Sequence, residues 1–149
     1  MEPSNTPVFA GEFRHSLDVK HRVALPSRWR QKCDREFFLI PSQCSDHLLG
    51  YPPAEFEKVS QLVSENPSIS PRDQRVFIRH FYSKAQMCSV DKQGRLLIPA
   101  DLRKLATLDG ELLFVGAFNR FEIWNPESWN RVTAEEETIY TQVANIVGL

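Results

Sequence analysis

One segment of this chain occurs twice, and that repetition restricts the possible folds more than any other feature. Residues 16–26 read Ser-Leu-Asp-Val-Lys-His-Arg-Val-Ala-Leu-Pro, and residues 89–99 read Ser-Val-Asp-Lys-Gln-Gly-Arg-Leu-Leu-Ile-Pro. The copies are displaced by 73 residues; Ser, Asp, Arg and Pro coincide, and the apolar positions match in kind. The likeness continues past each proline. A short helical stretch follows (27–33 and 100–106), then an apolar strand (37–40 and 112–115). Next comes an aromatic-proline-aromatic signature, Tyr51-Pro52-Pro53-Ala54-Glu55-Phe56 in the first copy and Trp124-Asn125-Pro126-Glu127-Ser128-Trp129 in the second. A two-residue insertion in the first copy closes the gap. Chance readily supplies an isolated Asp-x-x-x-Arg, but rarely the same succession of strand, turn, strand, proline, helix and strand twice. Such a repeat means one structural unit used twice.

The periodicity predicts a β-rich α+β protein. Strands are expected at 8–17, 22–25, 37–40, 47–51, 82–90, 95–98, 112–115 and 121–124. Helices are expected at 27–33, 53–64, 71–81, 100–106 and 126–146, the last with Trp129, Val132, Ile139, Val143 and Ile146 as its apolar members. Residues 1–8 read as an N-terminal arm, 9–66 as the first unit and 67–149 as the second, divided at Asn66-Pro67-Ser68.

With 149 residues and 42% apolar content, the chain can bury a real core, and disorder is not expected. No run of about 18 apolar residues offers a membrane span. The polar start, Met1 to Pro7, lacks the basic and apolar parts of a secretory signal, so a cytoplasmic location is expected. Cys33, Cys44 and Cys88 are an odd, scattered set, unlike a disulfide framework. Cys44-Ser45-Asp46-His47 has the spacing of half a zinc site, but no second ligand pair follows at suitable distance, and neither metal nor other cofactor is expected. An enzyme is not expected either, because there is no G-x-S-x-G elbow and no glycine-rich phosphate loop.

The net charge of −1 gives no global hint of nucleic acid, but the charges are segregated. Residues 71–95 carry six Lys and Arg against Asp73 and Asp91, whereas residues 121–149 carry five Glu and only Arg131. A local cationic patch attracts phosphates even on a neutral molecule.

The repeated turn carries the chemistry. Asp91-Lys92-Gln93-Gly94-Arg95 fits a hairpin loop of three central residues, with glycine in the left-handed position. The aspartate accepts hydrogen bonds from turn N–H groups and faces the arginine across the base of the loop. Arginine is well suited to bidentate contact with phosphate or guanine. A lone Asp–Arg turn reads best as a surface pair; two in the same context favour a paired reader of duplex DNA. In the first copy His21 stands in place of Gly94, leaving the turn possible but strained. Lys20 stands opposite Gln93, and Val19 opposite Lys92. Arg14, His15, Arg28 and Arg30 lie nearby and widen a positive surface, with Trp29 expected to be buried between the last two.

The stretch from Gly11 to Pro26 resembles the opening of MraZ proteins, and Asp91 to Pro99 resembles their second motif; the likeness spans residue 9 to beyond residue 129. The resemblance implies a swapped-hairpin, double-psi-like β-barrel with peripheral helices, similar to AbrB and SpoVT but with both halves supplied by tandem units of one chain. It also implies ring-shaped homo-oligomers associated with the nucleoid. These would regulate transcription by binding direct repeats in double-stranded DNA upstream of the division and cell wall gene cluster, with no small-molecule substrate. The implied DNA-binding residues are Asp18, Lys20 and Arg22, with Asp91, Lys92 and Arg95. The remaining alternative is an assembly module without DNA binding, whose C-terminal helix offers Glu135-Glu136-Glu137 to a basic partner.

Overall fold

The computed structural model describes residues 8–30, 35–44 and 46–149; the first seven residues of the expected arm and the end of the first short helix lie outside them. In chain order the elements are β1 (Glu12–Ser16), β2 (Arg22–Ala24), α1 (Ser27–Arg30), β3 (Glu36–Pro41), β4 (His47–Tyr51), α2 (Pro53–Ser64) and α3 (Pro71–Ser83). They continue with β5 (Gln86–Ser89), β6 (Arg95–Leu97), α4 (Ala100–Leu105), β7 (Glu111–Gly116), β8 (Phe121–Trp124) and α5 (Pro126–Ile146). The α+β class and the tandem construction are as expected.

The strands are exchanged between the units. The large antiparallel sheet runs β1-β7-β8-β4-β3-β5, so the first unit's β1 completes the second unit's β7–β8 hairpin and the second unit's β5 completes β3–β4. A separate two-stranded ribbon joins β2 to β6. At the middle of these central ladders Leu49 pairs with Glu122 and Val23 with Leu96. Each of these residues faces its own repeat counterpart, so an approximate two-fold axis passes through both pairs. Among the described residues the ladders do not close into a ring: β1 and β5 are open edges, and the ribbon lies against the core.

Local chemistry explains the boundaries. Prolines at the first turn start α2, α3 and α5, where a missing N–H costs nothing. Ser70 caps α3 by accepting from the N–H of Asp73, and Asn125 caps α5 by accepting from Glu127 and Ser128. β1 is shorter than the expected 8–17 because Gly11, at φ +101°, breaks the strand. Phe9 still bonds the backbone of Phe118 in both directions. β5 is shorter than expected because α3 runs on through Tyr82, whose hydroxyl donates to the carbonyl of Phe56 at 2.7 Å and accepts from the N–H of Ser60 at 3.0 Å.

The main core lies between sheet and ribbon. Phe9, Trp29, Phe37, Phe114 and Phe121 meet there largely edge to face, with Val23, Leu25, Leu96 and Ile98. Trp29 is buried as expected. A smaller cluster seats α2 on the opposite face of β3–β4, where Phe56 stacks on Phe38 at 4.0 Å, and α3 adds Phe81 and Tyr82. The α5 pattern is only partly covered. Trp129 packs on Trp124, but no residue of the helix is fully buried, and Ile139, Tyr140, Val143 and Ile146 are exposed. At 21 residues α5 is about 30 Å long and outruns the sheet that seats its first turns. Among the described residues no helix is long and apolar enough to cross a membrane.

Candidate nucleic-acid interface

The two repeated turns have the same internal geometry. In the first, Asp18 Oδ1 accepts from the N–H groups of Lys20 at 2.8 Å and Arg22 at 2.9 Å, while Asp18 Oδ2 accepts from Arg22 Nε at 2.9 Å. In the second, Asp91 Oδ1 accepts from Gln93 and Arg95, each at 2.9 Å, and Oδ2 accepts from Arg95 Nε at 3.1 Å. The backbone matches as well: Asp18 and Asp91 each donate to the carbonyl of their arginine and accept from the third loop residue, His21 or Gly94. His21 takes the left-handed conformation at φ +62°, close to Gly94 at +78°, so the substitution preserves the turn. These bonds hold both carboxyls below the usual aspartate range. The N–H of the loop arginine is the largest cause at each, and the arginine side chain and a further loop N–H add to it.

The ribbon places the loops side by side. Arg22 pairs with Leu97 and Ala24 with Arg95, while Val23 and Leu96 turn inward at 1% and 0% exposure. Strand alternation therefore puts Arg22 and Arg95 on one outward face. The loops also touch: Arg95 Nη1 lies 3.9 Å from Asp18 Oδ2, Leu25 N–H donates to Gly94 O at 2.9 Å, and Ile98 N–H donates to His21 O at 3.4 Å. Both arginine side chains are about one-third exposed, while Lys20, Lys92 and Val19 are exposed. Each aspartate holds the Nε side of its arginine, and Arg95 also turns its Nη1 toward the aspartate of the other loop.

The surrounding cations divide. Arg14 is engaged with Glu111 at 2.8 Å across the β1–β7 pair. Arg28 is exposed. Arg30 reaches from α1 to the second loop, donating to Gln93 O at 3.4 Å. Arg35, just before β3, has no motif signal in the sequence, yet it lines a cleft beside the same loop with Arg30 and Lys92. Strand exchange brings it there, which a local reading of the chain does not reveal.

His47, the histidine of the Cys-x-x-His spacing, has a structural setting. It stacks on Trp124 at 3.9 Å, with Nδ1 2.6 Å from Asp46 Oδ1 and Nε2 3.5 Å from Glu122 Oε2. Burial alone would lower its pKa; the Glu122 and Asp46 carboxylates outweigh burial and raise it. Cys44 is exposed, Cys88 is buried, and among the described residues no cluster of His, Cys, Asp and Glu could hold a metal ion.

Comparison with known proteins agrees with this architecture. A family described as "MraZ protein, putative antitoxin-like" matches residues 8–78 and again residues 81–147. A protein of Desulforamulus reducens named transcriptional regulator MraZ is 42% identical over 144 residues, 95% of this chain and 99% of the relative. Relatives of the same name from Caldicellulosiruptor saccharolyticus and Pediococcus pentosaceus are 37% and 38% identical, covering 90% and 92% of this chain and 92% and 94% of their own lengths. These names describe regulators of transcription. With both units matched and relatives aligned almost end to end, this chain belongs to the MraZ family.

Proposed function

We propose that the protein is a sequence-specific DNA-binding regulator of transcription that grips duplex DNA through its two Asp-x-x-x-Arg loops. The observation that carries this reading is the placement of Arg22 and Arg95 on one outward face of the β2–β6 ribbon, each braced by its own aspartate. Bracing removes rotamer freedom before binding, so less entropy is lost on contact. A bidentate arginine–guanine pair discriminates by about 1–3 kcal/mol. Lys20 and Lys92 supply charge to backbone phosphates.

The targets are direct repeats upstream of the division and cell wall gene cluster, engaged in the cytoplasm at the nucleoid by a ring of subunits. The exposed apolar stretch of α5 supports assembly, because isolated chains rarely leave such side chains to water. Several subunits on one duplex raise affinity through effective concentration. A second reading, an assembly module without DNA binding, also draws on α5.

A gel-shift titration with the DNA upstream of this protein's own gene separates the two. The wild type retards the duplex, with affinity falling steeply as salt rises, because phosphate contacts release counterions. Arg22→Ala with Arg95→Ala abolishes retardation while melting stays near wild type, since both side chains are partly exposed. Unchanged retardation by the double variant removes the loops from the interface, and absence of any duplex binding by the wild type favours the assembly reading.

A further inference from the structure

The two loops are flanked differently, and the difference is concentrated in one cleft. Beside the second loop lies a cavity of about 170 Å³ lined by Leu25, Arg30, Arg35, Val90, Asp91, Lys92 and Gly94. Three cations face it. The single carboxylate among these lining residues, Asp91, is already bonded to loop N–H groups and to Arg95, so the positive charge of the lining is in excess. Arg30 and Arg35 come from the first unit, and Lys92 from the second. The cleft therefore exists only because the strands are exchanged.

Among the described residues, the corresponding positions beside the first loop are occupied differently. Val90 donates its N–H to Arg35 O at 2.6 Å; at the matching point of the other half, Leu17 donates to Gly110 O at 2.8 Å. Where the second loop is flanked by Arg35, the first has a glycine, whose Cβ position is open space to 4 Å. Arg103, which occupies the repeat position of Arg30, donates instead to Ile98 O within its own unit at 3.0 Å. Gly94 leaves room for Arg30 to lie across the loop: a Cβ there would collide with Arg30 Nη1 and Cδ. The Arg30 charge also reaches His15, where, after burial, it is the second cause holding the imidazole below its usual pKa.

We propose that this cleft is a phosphate seat, in which Arg30, Arg35 and Lys92 clamp one backbone phosphate of the DNA beside the second loop. The assignment rests on the duplex-binding reading above and adds Arg30 and Arg35 to the interface as positioning contacts that carry no base specificity. Among the described residues beside the first loop, Arg103 is turned to Ile98 and Gly110 stands in place of Arg35, so these two positions supply no such clamp.

The test measures affinity for the upstream duplex and for an unrelated duplex of the same length across a salt series. Arg35→Gln weakens both by the same factor, about three- to ten-fold, and lowers the salt slope by about one, because one phosphate contact is lost. Arg35→Lys keeps the charge and retains the slope. Melting curves establish that the variants are folded. If Arg35→Gln leaves affinity and slope unchanged while the Arg22 and Arg95 double variant still abolishes binding, the phosphate seat is wrong and the loop reading survives. If Arg35→Gln alters the preference between the duplexes, the cleft contacts bases and the assignment is overturned. If the wild type binds neither duplex, both readings fall together.

Discussion

Asp18 and Asp91 each organise a loop and aim an arginine with the same two oxygens. The third loop residue is the point at which the copies differ most in backbone cost. A histidine at φ +62° is held in a region that costs non-glycine residues about 1 kcal/mol or more. His21→Gly relieves that strain, and part of the gain is offset by the greater freedom of glycine in the unfolded chain. The expected net gain is about 0.5–1 kcal/mol, a rise of about 2 °C in Tm, with duplex binding unchanged because the loop already has the glycine-type shape. Gly94→Ala does the reverse: it strains the backbone and displaces Arg30, so it lowers both Tm and affinity. Thermal melting together with gel shift on the two variants checks the pair, and a fall in Tm for His21→Gly contradicts the account.

Among the elements, β4 and β8 form the seam between the units, and His47 sits on that seam between Asp46 and Glu122. Its folded pKa is raised above the ordinary 6.5. The stabilisation from the charged imidazole is therefore complete below that value and is lost as pH rises through the folded pKa. Tm is expected to decline as pH rises above 6.5, and His47→Gln flattens this decline. Cys88, whose buried thiol is pushed up to about 11, does not titrate in that window. A wild-type profile as flat as that of His47→Gln refutes the assignment.

The same element scale shows what the chain discloses of itself. α2, α5, β4 and β8 lie where proline starts and aromatic spacing place them. β1 and β5 do not, because Gly11 breaks one strand and the packing of Tyr82 on α2 claims residues from the other. Both arginine loops are legible because each is a local turn written twice. Arg35 is not, because its place beside the second loop depends on the β3–β5 pairing, a contact across about fifty residues of sequence.

At the scale of the molecule, the exchange of β1 and β5 means that neither half owns a complete sheet. Residues 8–66 alone leave β3 without its β5 neighbour, and residues 67–149 alone lack β1, Trp29 and Phe37 of the shared core. Separate peptides corresponding to the halves are expected to be unfolded by circular dichroism and to regain the native spectrum on mixing. A half that melts cooperatively by itself refutes this mutual dependence.

Fusing both repeats into one polypeptide frees the tips from identity. One tip carries Val19, Lys20 and His21; the other carries Lys92, Gln93 and Gly94. A dimer of identical single repeats would present matching tips and suit a palindrome. This surface has a head and a tail, so on the proposed duplex-binding reading its footprint has a polarity along the duplex, and subunits arrayed on direct repeats would each meet a copy of it in the same orientation.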